Sequence, residues 1–415
     1  MLTKAPRGTK DVPPNEVYKW RYAEDAIRAL CACFGFQEIR VPVFEHTELY
    51  ERGVGDTTDV VQKEMYTFED KGGRSVTLRP EGTAGVVRAY LENNLYAEAA
   101  PAKLFYLMSC YRYEKPQAGR LREFHQFGVE TFGASSPEAD AETISLAMQL
   151  LAALGLDGLK LFINSVGCPV CRTEYNKKLR AYFGQYTDRL CQTCLARLEK
   201  NPMRIIDCKN PVCKEIGKGA PMLIDGQCGT CEAHFNSVRE ILSSLGIAFE
   251  TDPTIVRGLD YYTTTVFEIK AEELVVCGGG RYNNLVARLG GADTPGIGFG
   301  MGLERLIMTL ERNNLLPEKP EGAEVYLASV GDAAARTAQR LTYELRRAGI
   351  RAESDLMKRS VKAQMKYADK INAKYVAVLG EDELSAGRVN VKRMSTGEQV
   401  PIDLDGFASG LKQLL

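Results

Sequence analysis

Apolar positions recur along the first part of the chain with the period of a helix. Between Glu16 and Phe34, the residues Ala23, Ile27, Leu30, Cys31 and Phe34 fall at helical spacing and Gly35 stops the pattern, so a helix ending near Gly35 is predicted. The period then becomes two. Ile39, Val41 and Val43 alternate with other residues from Gln37 to Phe44, which predicts a strand, and Pro42 confines it to an edge or interface because proline cannot donate to a ladder. Two longer extended runs, Lys103 to Arg112 and Phe124 to Phe132, flank a polar loop with Lys115, Pro116, Gly119, Arg120 and Arg122. This reads as an antiparallel pair with a long basic connection. Further strands are predicted at Thr264 to Lys270 and Glu273 to Cys277, before Gly278, Gly279 and Gly280, and Gly296 to Met301 leads into a helix from Gly302. An antiparallel sheet with helices makes an α+β body.

The pattern breaks in two places. From Cys168 to Cys231 no long apolar period runs, and eight of the chain's 12 cysteines lie there. That stretch is expected to be an inserted module. Near Leu316 to Gly322 a cluster of Pro, Lys and Glu marks a linker. Beyond it come a strand at Val325 to Ser329, a helix through Ala334, Ala338, Leu341 and Leu345, and a strand at Tyr375 to Leu379. These form an α/β pattern in a separate domain of ordinary size. The expected division is a body over 1–165 and 251–318, a Cys-rich insertion over 166–250 and a C-terminal domain over 323–415.

Composition narrows the class. A chain of 415 residues, 45% hydrophobic and 26% charged, exceeds one ordinary core and matches a folded soluble protein of several domains. It holds no run of about 18 apolar residues to span a bilayer, and Met1 to Pro14 lacks an apolar signal core, so a cytoplasmic, reducing location is expected. A net charge of −1 excludes a protein that coats nucleic acid non-specifically. The charge is unevenly spread, however. From Glu324 onward 15 Lys or Arg face 12 Asp or Glu. Lys358, Lys362, Lys366, Lys370 and Lys374 repeat every four residues there, which is either an RNA-contacting stripe or a solvated helix face.

Four segments carry the chemistry. Arg112, its loop and the return run Phe124, His125, Gln126, Phe127, Gly128, Val129, Glu130 resemble motif 2 of class II aminoacyl-tRNA synthetases. Gly298 to Arg305 resembles motif 3, and the helix and strand around Pro42 resemble motif 1. Arg257, Gly258, Leu259, Asp260, Tyr261, Tyr262 is similar to a signature of the histidine-specific family. Each alone is weak, because a Gly-x-Gly before a helix or an arginine on a strand is common. Their joint order from Pro42 to Arg305, with Arg79 to Thr83 and Arg7 to Asp11 matching too, makes coincidence improbable. The resemblance implies a class II catalytic fold with a C-terminal anticodon-binding domain. It also implies a homodimer built on the motif 1 region, in which an edge strand gains cover.

Why these residue types suit such chemistry follows from charge. A carboxylate attacking the α-phosphate of ATP brings anion to anion, so the site must place fixed positive charge at the transition state. Arginine forks are suited to it. By the resemblance, Arg112 holds the α-phosphate and the histidine carboxylate, Arg305 lies on the nucleotide and Phe124 stacks on adenine. Arg257 is an added cation near the α-phosphate, replacing part of a magnesium ion's role, with Mg²⁺ on the other phosphates. The plainer alternative for Arg257 is an ion pair with Asp260. The family places Glu81, Thr83 and Gln126 around the substrate ammonium and Glu130 with Tyr262 around the imidazole, Tyr261 giving support. Gln117, in the loop beside Arg120, would meet the acceptor end of histidine tRNA.

Two other function classes stand against this. One is a histidine-sensing module similar to the regulatory subunit of ATP phosphoribosyltransferase, which is expected to lack the C-terminal domain and the nucleotide arginines that this chain keeps. The other is a different class II specificity, such as prolyl or threonyl, which Arg257 to Tyr262 argues against. The cysteines depart from the family pattern. Cys168 and Cys171, Cys191 and Cys194, Cys208 and Cys213, and Cys228 and Cys231 form pairs with zinc-site spacing. In chain order the first four make C-x2-C-x19-C-x2-C and the rest C-x4-C-x14-C-x2-C. Structural zinc on these cysteines, about one or two ions per chain, is therefore expected. A single site would leave four spare thiols and spacing cannot choose which four, free thiols are the plainer alternative, and the compartment disfavours disulfides.

Overall fold

The computed structural model describes residues 3–55, 58–320 and 322–415. Met1 and Leu2, at the start of the expected first domain, and Glu321, in the expected linker, lie outside the described residues, as do Asp56 and Thr57. The chain divides into two compact units, Met1–Pro317 and Glu318–Leu415.

The first unit is built on an eight-stranded sheet. Its six central strands run Ala102–Tyr111, Glu123–Phe132, Gly296–Gly302, Leu274–Arg281, Thr263–Ala271 and Leu159–Ser165, each antiparallel to its neighbour. Short parallel strands Gln37–Glu38 and Glu250–Thr251 close the two edges. Helix Val17–Cys33 buries Ala23, Ile27 and Cys31 in one cluster with Phe127, Ile144, Phe267 and Leu306. The helical period of the sequence thus marks the face that meets the sheet.

The strand expected over Gln37 to Phe44 is instead divided. Only Gln37–Glu38 pairs in the large sheet, while Phe44–His46 pairs with Ser75–Leu78 in a separate three-stranded sheet. The chain changes sheets around Pro42, where no N–H is available. The carbonyls of Val41 and Pro42 accept from Arg79 Nη1 at 2.7 and 3.1 Å, so a side chain satisfies groups that a ladder would otherwise use.

The cysteine-bearing stretch also differs from expectation, because it has a core. Helices Pro169–Phe183, Gln192–Lys200 and Pro211–Gly217 bury Tyr175, Leu179, Phe183, Cys194, Leu198 and Ile216 in a cluster that includes Tyr106, Tyr261 and Tyr282. The second and third helices are too short for a sustained apolar period to be legible, whereas the 15-residue first one does carry a four-residue series in Cys171, Tyr175, Leu179 and Phe183 that the sequence reading missed. The following helix, Gly229–Ser244, places Phe235, Val238 and Leu242 in the cluster of Ile144 and Phe267.

In the second unit, Ala352–Ser354, Val325–Ser329 and Tyr375–Leu379 are parallel, and Arg388–Arg393 and Gln399–Asp403 continue the sheet antiparallel. Helices Asp332–Arg347 and Val361–Lys370 make the crossovers, and Leu341, Leu345, Tyr375, Val391 and Phe407 form the core. Of the lysine series only Lys362, Lys366 and Lys370 lie on a helix. Lys358 precedes it with φ of 52°, and Lys374 follows it.

Candidate functional site

Two adjoining cavities open over the central strands of the large sheet. The first, of about 260 Å³, is lined by Arg112, Phe124, Arg257, Gly278, Glu304 and Arg305 among others. The second, of about 320 Å³, is lined by Glu81, Thr83, Gln126, Tyr261 and Tyr262. Arg112, Arg120, Phe124 and Arg257 border both. The chambers therefore meet at a wall of guanidinium groups.

Arg112 sits one residue past strand Ala102–Tyr111. Its Nε donates to the Pro80 carbonyl at 2.7 Å and its guanidinium lies 5.3 Å from the Phe124 ring. Arg257 comes from the loop before Thr263–Ala271 and pairs with Glu268 at 2.6 Å, not with Asp260. Asp260 instead accepts from Asn201 at 3.0 Å and Arg204 at 3.3 Å. Burial works against the charge on Arg257, but the Tyr262 hydroxyl and Glu268 carboxylate outweigh it and raise its pKa. The buried Nε of Arg257 has no hydrogen-bond partner among the described residues, which leaves a donor for a third party. Arg305 donates to the carbonyls of Gly119 at 3.3 Å and Val275 at 2.9 Å. It thereby ties the loop after Arg112 to the sheet. Within that loop Gln117 and Arg120 bridge through their backbones, and Arg120 pairs with Glu114.

A buried acid network backs the second chamber. Glu81 accepts from the amides of Thr83 and Ala84, both at 2.8 Å, yet burial still raises its pKa. Glu130 accepts from Thr83 Oγ1 at 2.7 Å, from Tyr106 at 3.4 Å and from the Tyr282 hydroxyl. Burial pushes its pKa up to about 8 against those donors. Gln126 Oε1 accepts from the Gly82 amide at 3.1 Å. Two close approaches require glycine. A Cβ at Gly278 would overlap the Arg257 guanidinium, and one at Gly298 the Glu130 carboxylate.

The predicted residues of motif 2, motif 3 and the Arg257 segment converge on these chambers, with Glu130 directly behind the second. Sequence reasoning missed Tyr106, Glu268 and Tyr282. Tyr282 follows closely on the run Gly278 to Gly280, which was the only available signal, and with Tyr106 it donates to Glu130. His125, bonded to Glu304 at 2.9 Å, was also missed as a brace between motifs 2 and 3.

The cysteines gather into two tetrads, but not in chain order. Cys168, Cys171, Cys228 and Cys231 form one, and Cys191, Cys194, Cys208 and Cys213 the other, the ligand atoms of each group lying within 4.8 Å of one another. The first and last pairs thus enclose the middle two. That corrects the chain-order grouping, since proximity along the chain does not decide which helix ends meet.

Comparison with known proteins agrees with this geometry. The family model "Histidyl-tRNA synthetase" matches residues 8–169 and 224–306, and "Anticodon binding domain" matches 324–414. A histidine–tRNA ligase of Acetivibrio thermocellus is 55% identical over 99% of this chain and 100% of its own length. One from Clostridioides difficile is 53% identical over 100% of both. The crystal structure of the S. aureus histidyl-tRNA synthetase, 39% identical, superposes with a TM-score of 0.85 over 99% of this chain and 100% of its own. A Bacillus halodurans protein described as an ATP phosphoribosyltransferase regulatory subunit/histidyl-tRNA synthetase shares the fold at 23% identity and a TM-score of 0.67, covering 91% and 98% of the two chains. With the family model matching both parts of the first unit and relatives 53–55% identical along the whole chain, the chain belongs to the histidyl-tRNA synthetase family.

Proposed function

We propose that the chain activates L-histidine with ATP and transfers it to the 3′-terminal adenosine of histidine tRNA. The observation that carries this reading is the pair of chambers joined at Arg112 and Arg257. A nucleotide in the first, against Phe124 and Arg305, and an amino acid in the second put α-phosphate and carboxylate between the same two arginines. The carboxylate oxygen bonds to the α-phosphorus, the bond to the leaving pyrophosphate breaks, and both arginines neutralise the charge that crowds there. A hydroxyl of the terminal adenosine then attacks the carbonyl of the adenylate and AMP leaves.

In the second chamber Glu81, Thr83 and Gln126 receive the ammonium. Glu130 and Tyr262 receive the imidazole, with Tyr261 behind them. Thr83, Tyr106 and Tyr282 already donate to Glu130, so about one acceptor site of the carboxylate is left for a ring N–H, which favours a true donor over an apolar analogue. Mg²⁺ bound with the nucleotide would supply positive charge beyond that of Arg112, Arg257 and Arg305. Gln117 and Arg120 meet the acceptor end, and the 323–415 domain meets the anticodon. Division of the first unit into catalytic parts 1–165 and 251–318 around an insertion at 166–250 belongs to the same reading, as does structural zinc on the insertion's cysteines.

No helix among the described residues is long and apolar enough to cross a membrane, and the work proposed belongs in the cytoplasm. A homodimer is favoured by the three-stranded sheet, where Phe44 and Phe68 are 56% and 48% exposed and need cover. The sensing alternative is disfavoured by Arg112, Arg257 and Arg305 standing together. Histidine-dependent exchange of pyrophosphate into ATP tests the proposal, and it should exceed exchange with any other amino acid. Folded protein with ATP and Mg²⁺ that shows none would refute the ligase reading in favour of the sensor.

A further inference from the structure

We infer that the insertion holds two zinc ions in nested tetrads, and that each ion fixes one anchor of the segment carrying Arg257. The role given to that segment rests on the histidine-activation reading; the ions do not. Within the outer tetrad, Cys168 and Cys171 sulfurs are 3.7 Å apart, Cys168 and Cys228 4.0 Å, and Cys171 and Cys231 3.9 Å. Within the inner one, Cys191 and Cys208 are 3.9 Å apart. A zinc–sulfur bond of about 2.3 Å gives a tetrahedron with edges of about 3.8 Å. A disulfide would need about 2.05 Å. The sulfurs are thus spaced as four ligands around one ion and not as oxidised pairs.

The surroundings suit a negative shell. Amides of Cys228, Cys191 and Asn210 donate to Cys171, Cys213 and Cys208 sulfurs at 3.1, 3.3 and 3.5 Å. Cys168, Cys191 and Cys228 each stand at the N-cap of a helix, so positive helix ends converge on the clusters. Four thiolates and no open position make a structural zinc site.

Their placement suggests what the ions do. The family match stops at residue 169 and resumes at 224, so the outer tetrad straddles both ends of the unmatched segment while the inner lies wholly inside it. Arg172, next to Cys171, donates to the Tyr262 carbonyl at 2.8 Å. Arg204, between the two halves of the inner tetrad, reaches Asp260 at 3.3 Å and the Gly258 carbonyl, and Asn201 reaches Asp260 at 3.0 Å. The outer ion therefore holds Arg172 on one end of the Arg257 to Tyr262 segment, and the inner ion holds Arg204 on its middle. These are positioning residues, since they act through backbone that bears Arg257 and Tyr262.

The test uses full-length protein purified without chelator. Elemental analysis should find two zinc ions per chain, and the cobalt-substituted protein should show thiolate-to-cobalt charge transfer from two ions. Cys208→Ser should retain one zinc, raise KM for histidine about fivefold and lower kcat for adenylation by a similar factor, with the KM for ATP nearly unchanged. Arg204→Ala should give the same KM change with both zincs kept, as expected when about one charge-assisted hydrogen bond is lost. One zinc or fewer in the wild type, iron in place of zinc, or an unchanged histidine KM in Arg204→Ala would overturn the inference. If Cys208→Ser does not fold, the cobalt spectrum and Arg204→Ala decide. Two zincs in protein that never activates histidine would leave the sites standing and refute the histidine-activation reading instead.

Discussion

A carboxyl group enclosed by Thr83, Tyr106 and Tyr282 can ionise only against the loss of its water shell, and for Glu130 that loss outweighs the three donors. Its pKa rises from 4.5 to about 8 in the folded protein, so the folded state keeps a proton that the unfolded chain gives up. The resulting stability is fully present below about pH 4.5 and is lost as pH rises through about 8. Glu130→Gln keeps the shape and removes the titration. Urea midpoints of wild type and variant should therefore diverge in favour of the variant between pH 5 and pH 8.5, and parallel pH curves would show that Glu130 ionises freely. Histidine-dependent exchange in the same variant should fall by about 100-fold, because a bound ring N–H draws Glu130 into its ionised form and the amide has no ionised form to supply. The position of Glu130 in motif 2 was legible in the sequence. Its partner Tyr282 was not, because that contact joins residues 152 positions apart and no local pattern encodes it.

At the scale of elements, legibility followed locality. The strands on either side of the loop after Arg112 pair from Ala102 with Phe132 to Tyr111 with Glu123, an antiparallel arrangement that neighbouring runs announce by themselves. The predicted strand through Pro42 divided because its two halves pair in different sheets, information that lies in distant partners. Which cysteines share a tetrad is likewise decided by distant partners, so chain-order spacing does not give it. Between the two legible strands, the Gln117–Arg120 bridge makes a tight turn, and Gln117 borders a neighbouring cavity with Lys10, Trp20 and His125. Neither chamber joined at Arg112 has Gln117 in its lining. Gln117→Ala should therefore leave pyrophosphate exchange unchanged and slow single-turnover transfer to tRNA about tenfold, the equivalent of about 1.4 kcal/mol or one hydrogen bond. Equal transfer rates would remove Gln117 from the RNA surface.

At the scale of the whole molecule, the linker signal near Leu316 to Gly322 coincides with the division after Pro317. Each side has its own buried core. Every residue lining the two chambers comes from Arg305 or earlier, and so do both tetrads. Chemistry on histidine and ATP thus needs no side chain from the second unit, whereas a long RNA substrate draws binding energy from contacts far from its reacting end. A protein ending at Pro317 should consequently keep histidine-dependent pyrophosphate exchange within about threefold, a change of under about 1 kcal/mol in barrier. Charging of histidine tRNA at low tRNA concentration should fall by about 100-fold or more, mostly through a raised KM for tRNA. Raising the tRNA concentration should recover part of the rate. A truncated protein that stays folded but loses exchange would show that the second unit supports the chambers themselves, and one that charges tRNA with unchanged KM would show that the second unit contributes nothing to RNA binding.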